Sequence, residues 1–163
     1  MQKIDNSILS NLSLNAKLSA RKRMNLNIHK TNEDPIQRFF NALEPDTYIR
    51  PHKHEKPDKR ELFVLIKGKF AIVEFDNAGN INDTFILDQN TGDIAVEIEP
   101  GIYHTVLALE SNSIALEIKD GPYDIKNDKN FAAWAPDEND TSAVEVYINN
   151  LLHQISDNNK TKK

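Results

Sequence analysis

Short apolar runs separated by turn residues fill the middle of the chain. Between residues 37 and 120 they fall at 62–66, 70–75, 84–87, 94–98, 104–109 and 113–118. The breaks are Lys67-Gly68, Asn77-Ala78-Gly79-Asn80, Thr91-Gly92-Asp93, Pro100-Gly101 and Glu110-Ser111-Asn112, residue types that take turn conformations readily. Many short strands at near-regular spacing predict an all-β sandwich or barrel, and no βαβ alternation competes with it. Ahead of this zone, Ile8, Leu9, Leu12 and Leu18 follow capping residues at 5–7 and predict an N-terminal helix. The alternation Asn25-Leu26-Asn27-Ile28-His29 reads as a strand. Behind it, Gly121-Pro122 opens an irregular stretch through Trp134-Ala135-Pro136. Val144, Tyr147, Ile148, Leu151, Leu152 and Ile155 then form one apolar stripe at helical spacing, with Ser142 and Glu145 as a capping box. That stripe must pack on the β domain or on a second subunit. The polar end from Asp157 to Lys163 is expected to fray. The chain therefore reads as one domain over 1–163: an N-terminal helix and strand extension (1–30), the β-barrel (37–120), and a C-terminal extension and amphipathic helix (121–163).

Composition removes several classes of chemistry. The 163 residues include no cysteine, which excludes disulfides, zinc–thiolate sites, iron–sulfur clusters and thiol nucleophiles. Twenty Lys and Arg against 25 Asp and Glu give a net charge of −5, which argues against nucleic acid or an anionic membrane as partner. The longest unbroken apolar run, 62–66, is far short of the roughly 20 residues of a membrane-spanning helix. The N-terminus carries no apolar segment of the signal-peptide kind, so a cytoplasmic protein is expected.

Chemistry concentrates in the histidines. His52 and His54 are two residues apart, and on a strand both side chains project to one face. Glu61 directly precedes the apolar run 62–66 and lies opposite that pair if it opens the next strand; Glu55 and Asp58 compete with it but precede no strand. A turn at Pro100-Gly101 delivers His104 to the start of a further strand. Imidazole and carboxylate in this ratio suit one borderline divalent metal, iron, manganese, zinc or nickel. Four protein ligands leave positions open on a five- or six-coordinate ion for water or substrate.

The spacing His52-x-His54-x6-Glu61-x6-Gly68, followed by Gly92-x7-Pro100-Gly101-x2-His104, resembles the two signature motifs of the cupin superfamily. A closer resemblance is to the WbuC-type cupin-fold metalloproteins, and it covers most of the chain. It takes in Arg21-x-Arg23-x-Asn25-x-Asn27-x-His29, Gln37-Arg38, Tyr48-Ile49-x-Pro51-His52-x-His54, Glu61-Leu62-Phe63-Val64, Gly92, Glu97, Pro100-Gly101, Glu117-x-Lys119-x-Gly121-Pro122 and Trp134-Ala135-Pro136. The resemblance implies a small antiparallel jelly-roll β-barrel, a metal held by His52, His54, Glu61 and His104, and a place in surface-polysaccharide biosynthesis with the reaction undetermined. Four departures mark this chain. Asp46 stands where the cupin pattern has a glycine, His54 and Glu61 are separated by six residues rather than three or four, Pro100 and Gly101 are adjacent, and Ala108 replaces an asparagine.

Other polar residues have two readings each. Arg21, Arg23 and Arg38 are either solvated or ion-paired, or recognise a carboxylate or phosphate on a substrate. His29 is a satisfied histidine or a substrate contact. Glu117 and Lys119 share a strand face, as a surface ion pair or, for Lys119, a substrate contact. Glu61, Tyr48 and Arg38 are the catalytic candidates, Tyr103 should point away from His104 into packing, and Trp134 should seal one end of the barrel. The leading expectation is a metalloenzyme, an isomerase, epimerase or dioxygenase, acting on a small polar substrate that is anionic or sugar-derived. The alternatives are a non-catalytic metal-dependent binding module, and a metal-free sugar-isomerase-type cupin using His52 and His54 as acid and base. A homodimer through the helix stripe or an N-terminal strand completes the expectation.

Overall fold

Asp5 starts the first helix by accepting hydrogen bonds from the backbone N–H groups of Ser7 and Ile8, both at 3.2 Å, the usual way an N-cap satisfies orphaned donors. In this computed structural model, which describes residues 1–161, α1 (Asn6–Leu18) leads to β1 (Arg23–Asn27), β2 (Ile36–Leu43), β3 (His52–Lys53), β4 (Glu61–Lys67) and β5 (Lys69–Phe75). These are followed by β6 (Ile81–Asp88), β7 (Ala95–Ile98), β8 (Tyr103–Ala108), β9 (Ser113–Asp120), β10 (Asn130–Phe131) and α2 (Thr141–Thr161). The strands form two antiparallel five-stranded sheets, ordered β1-β2-β9-β4-β7 and β10-β3-β8-β5-β6. Without the edge strands β1 and β10, the orders β2-β9-β4-β7 and β3-β8-β5-β6 are those of a jelly roll built from two Greek keys. The all-β expectation with a helix at each end is met, as two facing sheets.

Period-two alternation gives the sheets their inner and outer faces. Phe63 and Leu65 of β4, Phe70 and Ile72 of β5, Val106 and Ala108 of β8 and Ala115 of β9 meet between the sheets in one apolar cluster. On the outer face of the first sheet, Leu12 and Ala16 of α1 pack with Ala42 and Ile114. On the outer face of the second, Leu151 and Ile155 of α2 pack with Ala71, Val73, Phe75 and Leu107. The molecule is thus four layers deep, helix, sheet, sheet, helix.

Ile148, Leu151 and Ile155 of the C-terminal stripe are therefore buried inside the chain, while Val144, Tyr147 and Leu152 are half-buried. Leu151→Lys is expected to cost about 3 kcal/mol or more, because it removes a buried aliphatic side chain and buries a charge. Urea unfolding should shift accordingly. A fully stable Leu151→Lys variant would contradict this packing.

Three local expectations are corrected. The N-cap of α2 is Asp140, whose carboxylate accepts from Ala143 N–H at 3.1 Å, not Ser142, because the helix begins two residues earlier, at Thr141. The helix continues to Thr161 instead of fraying from Asp157; Lys162 and Lys163 lie outside the described residues. Trp134 packs against Phe75 and Tyr103 on the outer face beneath α2, with ring centroids 5.1 and 5.9 Å away, rather than closing one end. Tyr103 does point away from His104, into that same cluster.

One turn explains how a departure from the cupin pattern is tolerated, and a second shows why a position that keeps the pattern is glycine. Asp46 occupies the left-handed region at φ 70°, a conformation acidic and amide side chains support better than most, so it serves where a glycine is usual. Gly68, between β4 and β5, has φ 77°, and a Cβ there would lie 2.7 Å from Ser113 Cα. Gly68→Ala is expected to destabilise the fold by about 2 kcal/mol or more, measurable as a lowered urea midpoint.

Candidate metal centre

Each inner strand is apolar along one half of its length and polar along the other, and the polar halves coincide. Inward positions run Glu61, Phe63, Leu65 on β4; His104, Val106, Ala108 on β8; and Lys119, Glu117, Ala115 on β9. His52 of β3 is directly paired with His104 of β8 in one sheet, and Glu61 is directly paired with Lys119 in the other. His54 follows β3 immediately. The result is a cluster of His52, His54, Glu61 and His104, each no more than 4% exposed, whose potential ligand atoms all lie within 4.8 Å of one another.

The hydrogen bonds of the rings fix which nitrogen faces inward. His52 Nδ1 is 2.9 Å from the Arg50 carbonyl, His104 Nδ1 is 3.0 Å from the Ile102 carbonyl, and His54 Nδ1 bonds the Asp128 carbonyl. A carbonyl only accepts, so each Nδ1 carries the hydrogen and each Nε2 presents a lone pair. His54 Nε2 then lies 3.0 Å from Glu61 Oε1, and His104 Nε2 lies 2.9 Å from Glu61 Oε2. Neither nitrogen has a hydrogen-bond partner. Lone pairs facing a carboxylate at this range repel unless a proton or a cation lies among them. Burial, above all, pushes His52 well below its usual value, so charging the rings is the unfavourable remedy. Burial raises the Glu61 carboxyl, and the nearby Lys119 ammonium lowers it.

A divalent cation resolves the geometry. Bonds of about 2.1 Å place neighbouring ligand atoms of an octahedral ion about 3.0 Å apart, the separation the two Nε2 atoms keep from Glu61. Carbonyl-anchored imidazoles are also the usual support of metal-bound histidine. The donor set fits one borderline divalent ion.

A cavity of about 370 Å³ opens onto this cluster, with His52, Glu61 and His104 in its wall. Arg21, Arg23, His29 and Lys119 line it too, so four of the five proposed substrate contacts converge there. They are not equally available. The Arg23 guanidinium is held by Glu138 at 3.1 Å, and Lys119 Nζ donates to Asp128 at 2.6 Å. His29 Nδ1 lies 3.0 Å from both the backbone N–H and the carbonyl oxygen of Arg38. Arg38 and Tyr48 are not brought to the site. Arg38 pairs with Asp34 at 3.4 Å, while Tyr48 Oη donates to the Pro136 carbonyl at 2.8 Å.

Three cavity residues, Asn41, Glu117 and Lys129, were not recognised from the sequence as site residues. Glu117 and Lys119 are not a surface pair: both face inward and are at most 6% exposed. Their shared parity with the core residue Ala115 was the available signal. Asn41, on β2, donates to Glu117 at 3.0 Å, and Lys129 lies near the end of the irregular stretch before β10. Burial, then the nearby Glu61 charge, pushes the Glu117 carboxyl up to about 8. A raised acid binds its proton more tightly when folded, so between its ordinary 4.5 and about 8 the metal-free protein loses stability as pH rises. Metal-free Glu117→Gln should match wild type near pH 4.5 and exceed it at pH 8 in thermal unfolding. A difference that does not grow with pH would contradict this.

A family model described as a domain of unknown function (DUF6016) matches residues 4–87. No curated protein matches the chain. Among solved structures, a cupin-superfamily protein of Desulfitobacterium hafniense DCB-2 is 12% identical with a TM-score of 0.52, the match covering 74% of this chain and 93% of that one. The capsular polysaccharide assembling protein CapF of Staphylococcus aureus is 18% identical with a TM-score of 0.51, covering 66% of this chain and 31% of CapF. The chain therefore spans under a third of CapF. TT1209 from Thermus thermophilus is 18% identical with a TM-score of 0.50, covering 74% of this chain and 97% of that one. Likeness at these identities establishes the cupin fold and nothing finer.

Proposed function

The chain belongs to the DUF6016 family, and we propose that it is a metal-dependent cupin of the WbuC type that acts on a small anionic or sugar-derived molecule. One divalent ion, iron, manganese, zinc or nickel, would be held by His52, His54, Glu61 and His104. The observation that carries this reading is the convergence of buried, unpartnered imidazole lone pairs on one carboxylate. A bound ion would supply Lewis acidity toward a ligand oxygen in the cavity.

The protein's own residues account for the rest. Arg23 and Lys119 are paired with Glu138 and Asp128, and Arg21 and Lys129 add two further cations to the cavity wall, in a chain whose net charge is −5. Cations in a cavity wall draw an anion inward. Asn25 and Asn27 project from β1 into the same space, and their amides can both donate to and accept from hydroxyl groups. Glu117, with its raised carboxyl, is placed to hold or release a proton near neutral pH. The surface-polysaccharide role belongs to this reading through the WbuC resemblance, supported by the cupin fold shared with CapF. No helix among the described residues is long and apolar enough to cross a membrane. A homodimer is also part of the reading, through β1 or through the half-buried side of the α2 stripe at Val144, Tyr147 and Leu152.

The test is ligand access. Cobalt-loaded protein should change its visible spectrum on adding azide or inorganic phosphate, because four protein ligands leave a position open on a five- or six-coordinate ion. A spectrum indifferent to both anions would indicate a closed structural ion and overturn the reading.

A further inference from the structure

Two of the three histidines carry their own orientation with them. His52 and His104 bond carbonyls two residues back along their own chain segments, at Arg50 and Ile102. His54 does not. Its Nδ1 partner is the main-chain carbonyl of Asp128, 74 residues away, on the irregular stretch between β9 and β10. A loop is a poor place to keep the acceptor that orients a ligand, unless something fixes it.

What fixes it is the Asp128 side chain. One carboxylate oxygen accepts from Lys59 Nζ at 2.7 Å, and the other accepts from Lys119 Nζ at 2.6 Å. Lys59 also donates to the Pro122 carbonyl at the start of the same stretch. Lys59 and Asp128 are 2% exposed and Lys119 5%. Lys119 in turn reaches Glu61 Oε1 at 3.5 Å. Burying three charges is costly even when they are paired, so a hydrophobic anchor would hold a loop at lower cost. A hydrophobic anchor could not set the angle of two ligands at once.

We propose that Asp128 is a positioning residue of the metal centre: its main-chain carbonyl sets the tautomer and plane of His54, while its carboxylate, clamped between Lys59 and Lys119, holds that carbonyl in place and steers Glu61 through Lys119. The proposal rests on the metal reading above. Asp128 does not itself belong to the ligand set and acts through His54 and Lys119.

The experiment uses full-length protein labelled with 15N-histidine, without metal and then titrated with zinc. Wild type should show His54 protonated at Nδ1; protonation at Nε2 instead overturns the proposal without any variant. In Asp128→Asn and Lys59→Met, the His54 Nδ1–H signal should move or broaden while those of His52 and His104 stay. Zinc affinity should fall about 10- to 100-fold, the usual effect of losing a partner that supports a ligand. Lys59→Arg, which keeps the charge, should restore both. If Asp128→Asn fails to fold, Lys59→Met, which keeps the Asp128–Lys119 pair, carries the test. A folded Lys59→Met with His54 and zinc affinity unchanged overturns the proposal, as does equal loosening at all three histidines. A wild type that binds no zinc overturns the metal reading instead, and the metal-free spectra still decide the His54 geometry.

Discussion

His104→Ala is expected to abolish tight metal binding while leaving the fold in place. His104 lies directly opposite His52 in the sheet, and its Nε2 is one of two that face Glu61. Loss of a supporting partner alone costs about 10- to 100-fold in affinity, so removing the ligand itself should cost more than about a hundredfold. The penalty on stability should be small by comparison. Truncating a buried aromatic ring usually costs about 3–5 kcal/mol, but here the substitution also removes a repulsive contact with Glu61, so the metal-free variant should lose less. Calorimetric zinc titration and thermal unfolding of the same samples separate the two effects. Affinity in wild type should also fall with acidification, because each ligand must offer an unprotonated Nε2. For His52, which burial holds well below its ordinary value, that competition sets in at lower pH than for a free histidine.

The second large effect is on stability. Asp128→Ala leaves Lys59 and Lys119 buried without their shared carboxylate, and breaking such a pair from one side costs about 3–5 kcal/mol. The exposed pair Arg60–Asp120, at 59% and 44% exposure, provides the contrast: Asp120→Ala should cost under about 1 kcal/mol. Urea unfolding of the two variants side by side measures the difference. Equal, small effects would mean that the buried network contributes no more than a surface contact.

The fold was legible because its signals are local. Turn residues and period-two runs mark β4 to β9, and the Leu151 and Ile155 stripe marks α2. The four cluster residues were legible because a histidine pair two apart on a strand, and a histidine after a Pro-Gly turn, constrain direction as well as position. Glu61 was found despite its longer gap, since it opens the apolar strand β4 and parity then aims it inward. The misreadings lie where the chain leaves regular structure or where long-range burial decides. Tyr48 and Arg38 flank the motifs in sequence, yet Pro136 and Asp34 claim them. Glu117 and Lys119 looked like a surface pair because nothing local reveals that an inward row of β9 can be charged. Asp128 and Lys129 carry no periodic signal, and only folding brings them against His54 and the cavity.

The most direct test of the account is the metal content of tag-free protein, by elemental mass spectrometry, beside His52→Ala and His104→Ala. The account predicts about one equivalent of iron, manganese, zinc or nickel per wild-type chain, as a single four-ligand site would hold, and its loss in both variants with circular dichroism unchanged. Wild-type protein that holds no metal, even after reloading with each of these ions, would contradict it.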